Sequence, residues 1–145
     1  MRPLLQEELV PKIFRRDLVD HGVFIQMCRS RDWLAANYGR RVTLRVAASQ
    51  AGYSAYHYQR LFVRAFGETP LEYLTRLRLE RAQKILRTSI DPVTEICFDL
   101  GYESLGSFSA LFKREVGLPP SEFRKVFSMP DLWALKATPA CFRRW

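Results

Sequence analysis

Metal, disulfide and membrane chemistry have little to work with in this chain. Its three cysteines, Cys28, Cys97 and Cys141, are scattered and odd in number, which gives neither a disulfide framework nor the paired spacing of a zinc site. They read as free thiols, with Cys28 and Cys97 on helix faces expected to be buried. Two histidines, His21 and His57, stand far apart in sequence. No nucleophile–base pair, glycine-rich phosphate loop or metal-ligand cluster is present, so the chain reads as no enzyme, with no cofactor and no metal. No apolar run approaches the ~18 residues of a membrane span, and the N-terminus turns acidic at Glu7-Glu8 before a signal-peptide core can form. A cytoplasmic protein without a membrane partner is expected. Strand-like alternation is missing too. One more absence is local: from Leu44 to Gly67 there are three arginines and no carboxylate.

What the chain does have is basic charge and apolar mass. A net charge of +8 on 145 residues favours a polyanionic partner, and 48% hydrophobic residues are enough for a packed core. Start and stop signals predict seven helices. The first runs from about Val23 to Tyr38 and stops at Gly39. The second runs from Leu44 to Ala51, with Thr43 as N-cap and Gly52 as stop. The third runs from about Ser54 to Phe66 and ends at Gly67. Thr69-Pro70-Leu71-Glu72 is a capping box that opens a fourth helix lasting to about Arg87. Its apolar face takes in Leu71, Leu74, Arg78, Ala82 and Ile85, and Arg76, Arg78, Arg81 and Lys84 read as solvated charges. Asp91-Pro92 starts a fifth helix, stopped by Gly101; a sixth runs from about Ser104 to Val116; Pro119-Pro120 opens a short seventh that carries Phe123.

An internal repeat organises these helices. Tyr58, Leu61, Phe62, Arg64, Gly67, Pro70, Glu72 and Tyr73 recur as Phe108, Leu111, Phe112, Arg114, Gly117, Pro120, Glu122 and Phe123, an offset of 50 throughout, and Gly52-Tyr53 recurs as Gly101-Tyr102. A short helix, a tight turn with glycine and a longer helix is the helix-turn-helix pattern, whose second helix enters the major groove of double-stranded DNA. Helical geometry turns Tyr58, Leu61, Phe62, Ala65 and Phe66 toward the core and Tyr56, Arg60 and Val63 away from it, with Gln59 and Arg64 flanking. The arginine fork suits guanine, the glutamine amide suits adenine, and the tyrosine suits a thymine methyl or a phosphate. Tyr56, Gln59 and Arg60 are therefore the candidate base readers, with Ser54, His57 and Arg64 toward the DNA backbone. On the sixth helix the outward stripe is Gly106, Ala110 and Lys113. Ser107 is the one candidate reader there, and Ser104, Lys113 and Arg114 are candidates for phosphate contacts. Glu103 reads as a helix-start carboxylate or as an acceptor for a cytosine amino group. The fourth helix, ~27 Å long at 1.5 Å per residue, is of a length to hold two recognition helices in consecutive grooves ~34 Å apart, so that one chain binds as a monomer.

With Ala51-Gly52-Tyr53-Ser54, Gln59-Arg60-Leu61-Phe62, Ile96-Cys97-x-x-Leu100-Gly101-Tyr102 and Phe108-Ser109-x-Leu111-Phe112-Lys113-Arg114, the stretch from about Val23 to Val126 resembles the DNA-binding domain of the AraC/XylS family of bacterial regulators. The resemblance implies an all-α fold of seven helices, two helix-turn-helix subdomains joined by a long linker helix. It implies promoter binding with activation through RNA polymerase, for which Arg31 or Asp32 on the first helix are candidate contacts, and a nucleoid location when bound. In the family, positions matching Tyr56, Gln59 and Arg60 contact bases; Gly106 and Ala110 depart from the Gln or Arg often found at theirs. The expected division is a leader (1–22), a first subdomain (23–68), the linker helix (69–88), a second subdomain (89–127) and an aromatic, basic tail (128–145). The chain reads as a small stand-alone regulator, with the DNA-binding fragment of a larger effector-responsive regulator, or a basic helical module for an acidic protein partner, as alternatives.

Overall fold

In the computed structural model, residues 20–127 are described; the leader before Asp20 and the tail from Ser128 lie outside them. The described residues form seven α-helices and no strand: α1 His21–Ala36, α2 Leu44–Gln50, α3 Ala55–Phe66, α4 Pro70–Thr88, α5 Val93–Asp99, α6 Leu105–Val116 and α7 Pro120–Phe127. None is long and apolar enough to cross a membrane. The chain divides into two compact units. One holds α1, α2, α3 and the first turn of α4; the other holds the rest of α4, α5, α6, α7 and the loop Tyr38–Arg41.

Local chemistry sets the helix ends. Thr43, Ser54 and Ser104 each accept a hydrogen bond from the amide three residues on, those of Val46, His57 and Ser107, as N-caps do. Ser54 and Ser104 thus stand just outside helices they were expected to begin. At α4 the capping box is complete: the Thr69 amide donates to Glu72 Oε2 at 2.8 Å and the Glu72 amide to Thr69 Oγ1 at 3.2 Å. The Thr69 backbone bond, with its side chain, holds the Glu72 carboxyl below the usual carboxylate range. α1 stops two residues early because Asn37 caps it, its amide donating to the Trp33 and Leu34 carbonyls and its side chain to Trp33 O at 2.8 Å.

The two tight turns share one geometry. The Tyr53 amide reaches back to Ala48 O and the Gly52 amide to Ser49 O; in the second unit Tyr102 reaches Cys97 O and Gly101 reaches Phe98 O. This pair of bonds is the Schellman motif, which needs a left-handed residue at its second-last position. Gly52 and Gly101 supply it at φ 75° and 82°. At Gly101 a Cβ would also press on Arg40 O at 3.1 Å.

Each unit has its own core. The first gathers Met27, Leu34, Ala47, Ala48, Ala51, Tyr58, Leu61 and Phe62; the second gathers Leu79, Ala82, Leu86, Ile96, Cys97, Leu100, Phe108, Phe112 and Phe123. Compared side by side, the repeat is longer than its motif. Met27, Ser30 and Leu34 of α1 correspond to Leu79, Ala82 and Leu86 of α4, all buried, so the repeat extends to the helix that precedes each helix-turn-helix pair. One pair of positions changes character between the copies. In the first unit Ser30 Oγ and Tyr58 OH share a buried hydrogen bond of 2.7 Å; in the second, Ala82 and Phe108 stand there. Burial pushes the Tyr58 phenol up, and the Ser30 bond offsets part of that. Tyr58→Phe is expected to cost about 0.5–1.5 kcal/mol, the net value of one hydrogen bond. Ser30→Ala should cost at least as much, since each single variant strands the other buried hydroxyl, while the double variant, copying the second unit, should fall back toward wild type. Denaturant unfolding of the three variants checks this, and additive losses would contradict it.

Three expectations need correction. Arg78 is not a solvated charge: half-buried, it donates from Nε to Tyr38 O at 2.8 Å and from Nη2 to Arg40 O at 2.7 Å, with its guanidinium 5.2 Å from the Tyr102 ring centre. The loop carbonyls take their partner from this fork because no helix amide reaches them. Arg81 stays exposed, as expected, with its guanidinium 5.6 Å from the Tyr38 ring centre. Leu71 is 42% exposed: in the first unit α4 buries Leu74 and packs Tyr73 against the core, in the second it buries Leu79, Ala82 and Leu86, and Leu71 belongs to neither set. Glu103 lies just before α6, where the sequence places it, and it pairs with Arg41 at 2.9 Å. Cys28 is half-buried, whereas Cys97 is buried and its thiol pushed up by that burial.

Candidate nucleic-acid interface

The first unit presents α3 as a two-sided helix. Tyr58, Leu61 and Phe62 are buried, and Tyr56, His57, Gln59, Arg60, Val63 and Arg64 are exposed. The buried side is an aromatic stack: Phe62 meets Tyr58, Phe66 and Tyr73 at centroid distances of 5.8, 4.7 and 6.1 Å. That stack fixes the helix's rotation, so its outer side chains point where the period says they should. Tyr56, Gln59, Arg60, Val63 and Arg64 line an open concavity of about 440 Å³. Tyr56 is 73% exposed and Val63 38%, apolar surface set between cations.

The turn before α3 is braced from α1. Gln26 donates from Nε2 to Ala51 O at 2.8 Å and accepts from Tyr53 OH at 2.9 Å, and the Tyr53 ring lies 5.4 Å from His57. Sequence reasoning missed Gln26. Its one signal was an amide on α1 at the position that Arg78 occupies in the second unit's repeat. Ser54 has its oxygen engaged by the His57 amide at 3.3 Å, which leaves its O–H to donate outward. Arg64 sits in the last turn of α3, where a cation also complements the helix dipole.

α6 has the same caps and the same buried face, Phe108 and Phe112, but a different outer surface. Gly106, Ser107, Ala110, Lys113 and Arg114 are exposed or nearly so. Gly106 and Ala110 carry no side-chain donor or acceptor, so close approach is possible while direct base readout falls to Ser107. Arg114 pairs with Glu115 at 2.8 Å, an exposed contact weak enough for a phosphate to displace. Lys113 is exposed. Among the described residues no group of three or more His, Cys, Asp or Glu is placed to hold a metal.

Comparison with known proteins places this architecture. A helix-turn-helix domain family matches residues 47–126. The chain is 36% identical over 93 residues to the regulatory protein SoxS of Salmonella typhimurium, covering 64% of this chain and 87% of that one. Its fold matches an AraC-type DNA-binding-domain regulator from Chromobacterium violaceum with a TM-score of 0.66 at 25% identity, over 75% of this chain and 97% of the other. The chain belongs to the AraC/XylS family of DNA-binding transcription regulators. Another similar protein is the transcriptional activator RhaS of Escherichia fergusonii, 38% identical over 93 residues, 64% of this chain but 34% of RhaS. The DNA-binding domain of AdpA, solved in complex with a target DNA, shares the fold with a TM-score of 0.68 at 24% identity, over 70% of this chain and 92% of that one. SoxS and RhaS are regulators rather than enzymes, and the all-α, two-helix-turn-helix architecture is the family's.

Proposed function

We propose that this AraC/XylS protein activates transcription by binding a promoter in which the first unit reads bases and the second grips the backbone. The observation that carries the division of labour is the contrast between the two recognition helices: exposed Tyr56, Gln59 and Arg60 on α3 against exposed Gly106 and Ala110 on α6. Gln59 and Arg60, with Tyr56 beside them, face bases in the major groove, and Ser107 is the second unit's one reader. Ser54, His57, Arg64, Ser104, Lys113 and Arg114 face phosphates. Two recognition helices on one chain support binding as a monomer. The activator name of RhaS supports RNA polymerase as a partner, and exposed Asp32 offers a contact, whereas Arg31 is half-buried with its guanidinium 4.8 Å from the Phe66 ring centre. A DNA target supports the cytoplasm, on the nucleoid, as the site of action and a role other than catalysis.

Binding measured over a salt series with competitor DNA tests the reading. Affinity should fall steeply with salt while a specific component survives the competitor; binding indifferent to sequence would refute it. Within that series, Lys113→Ala should weaken specific and non-specific duplexes alike and reduce the salt slope by about 1. A loss confined to one sequence would instead make Lys113 a reader.

A further inference from the structure

Tyr56 and Arg60 lie one turn apart on the exposed face of α3, and they touch in two ways. Arg60 Nη1 donates to Tyr56 OH at 3.2 Å, and the guanidinium carbon stands 5.5 Å from the centre of the Tyr56 ring. On the same face His57 turns instead to the preceding turn, its ring 5.4 Å from that of Tyr53. We infer that Tyr56 is a positioning residue for Arg60 rather than a reader of its own base, and that the pair makes guanine preference at one position the dominant element of specificity in the first unit. The inference rests on the proposal that α3 reads bases.

The chemistry follows from the donor inventory of the guanidinium. Five N–H groups lie in one plane. Donating one hydrogen of Nη1 to the Tyr56 hydroxyl leaves the Nε and Nη2 edge untouched, and that edge carries the two parallel donors that guanine O6 and N7 accept. A free arginine side chain has many rotamers to lose on binding, and a fork held before DNA arrives loses fewer. The ring restrains the plane by cation–π attraction and the hydroxyl fixes its rotation. Having accepted from Arg60, the hydroxyl keeps its own hydrogen for water. The carboxylate-free sequence from Leu44 to Gly67 leaves α2 and α3 no acid to draw the guanidinium away from this arrangement.

The test uses the whole chain and the duplex that it selects from a random pool. Arg60→Ala first identifies the position whose guanine preference disappears. At that position Tyr56→Phe, which keeps the ring and removes the hydroxyl, should lower the preference for guanine over adenine by about 3–10-fold, the range of one net hydrogen bond. Tyr56→Leu, which removes the ring as well, should lower it further. Preferences at other positions should stand, and adding Tyr56→Phe to Arg60→Ala should change affinity by less than ~2-fold, as expected when one residue acts through the other. Loss of preference at a different position, an undiminished effect in the Arg60→Ala background, or no effect of either Tyr56 variant would each overturn the inference while leaving α3 a reader. If Arg60→Ala itself erased no positional preference, the base-reading proposal would fall, and the inference with it. Thermal unfolding of each variant, expected to match wild type for so exposed a residue, separates these results from misfolding.

Discussion

Phe62→Ala is expected to destabilise the first unit by about 3–5 kcal/mol, the cost of deleting a fully buried aromatic side chain together with the cavity that it leaves. Phe62 is fully buried, and its ring meets three others, Tyr58, Phe66 and Tyr73. Those contacts close the core between α3 and its neighbours, so little can collapse into the gap without moving the helix. Against a total stability of ~5–15 kcal/mol for an ordinary domain, the loss should turn α3 from a fixed element into one that opens frequently. Hydrogen exchange at the α3 amides reads this locally, and faster exchange there should accompany loss of specific DNA binding. A change under about 1 kcal/mol, the size of an ordinary single substitution, would mean that the aromatic stack does not hold the recognition helix.

Arg60→Ala is the second large effect, on binding instead of folding. The side chain is exposed and its hydrogen bond goes to an exposed tyrosine hydroxyl, so unfolding should scarcely change. Affinity for the selected site should fall by about 1–3 kcal/mol, and discrimination at one base pair should disappear. Lys113→Ala supplies the contrast, with a loss spread over all sequences. Equal weakening of all sequences by Arg60→Ala would place Arg60 on a phosphate. Measuring both variants on the same panel of duplexes separates position-specific from uniform losses.

The amino-acid sequence discloses whatever local chemistry decides. Thr43 and Thr69 are legible as caps because a short hydroxyl side chain can reach an amide three residues on, whereas Ser54 and Ser104, which cap in the same way, read as the first residues of their helices; Gly52 and Gly101 mark turns because the Schellman geometry demands a left-handed residue. The aromatic pairs Tyr58–Phe62 and Phe108–Phe112 are legible as core from helical period alone. Contacts across sequence are not. Arg78 finds carbonyls at Tyr38 and Arg40, Ser30 finds Tyr58, and Glu103 finds Arg41; nothing within a few residues of any of them announces the partner. Arg78 leaves one trace, a charge inside an apolar stripe. The outer face of α3 is legible residue by residue, since it is the complement of the buried face, but the contact between Tyr56 and Arg60 comes only from side-chain placement. α6 shows the same logic in reverse, because its lack of readers is already visible in the residue types of Gly106 and Ala110.

The two units share a framework and differ in their outer surfaces, and that difference is the central claim. Selection of bound duplexes from a random pool with the intact chain tests it most directly. The predicted result is an enriched site with one sharply specified element, containing a guanine whose enrichment vanishes with Arg60→Ala, beside a second element that tolerates many sequences. Two equally sharp elements, or no enriched site at all, would contradict it.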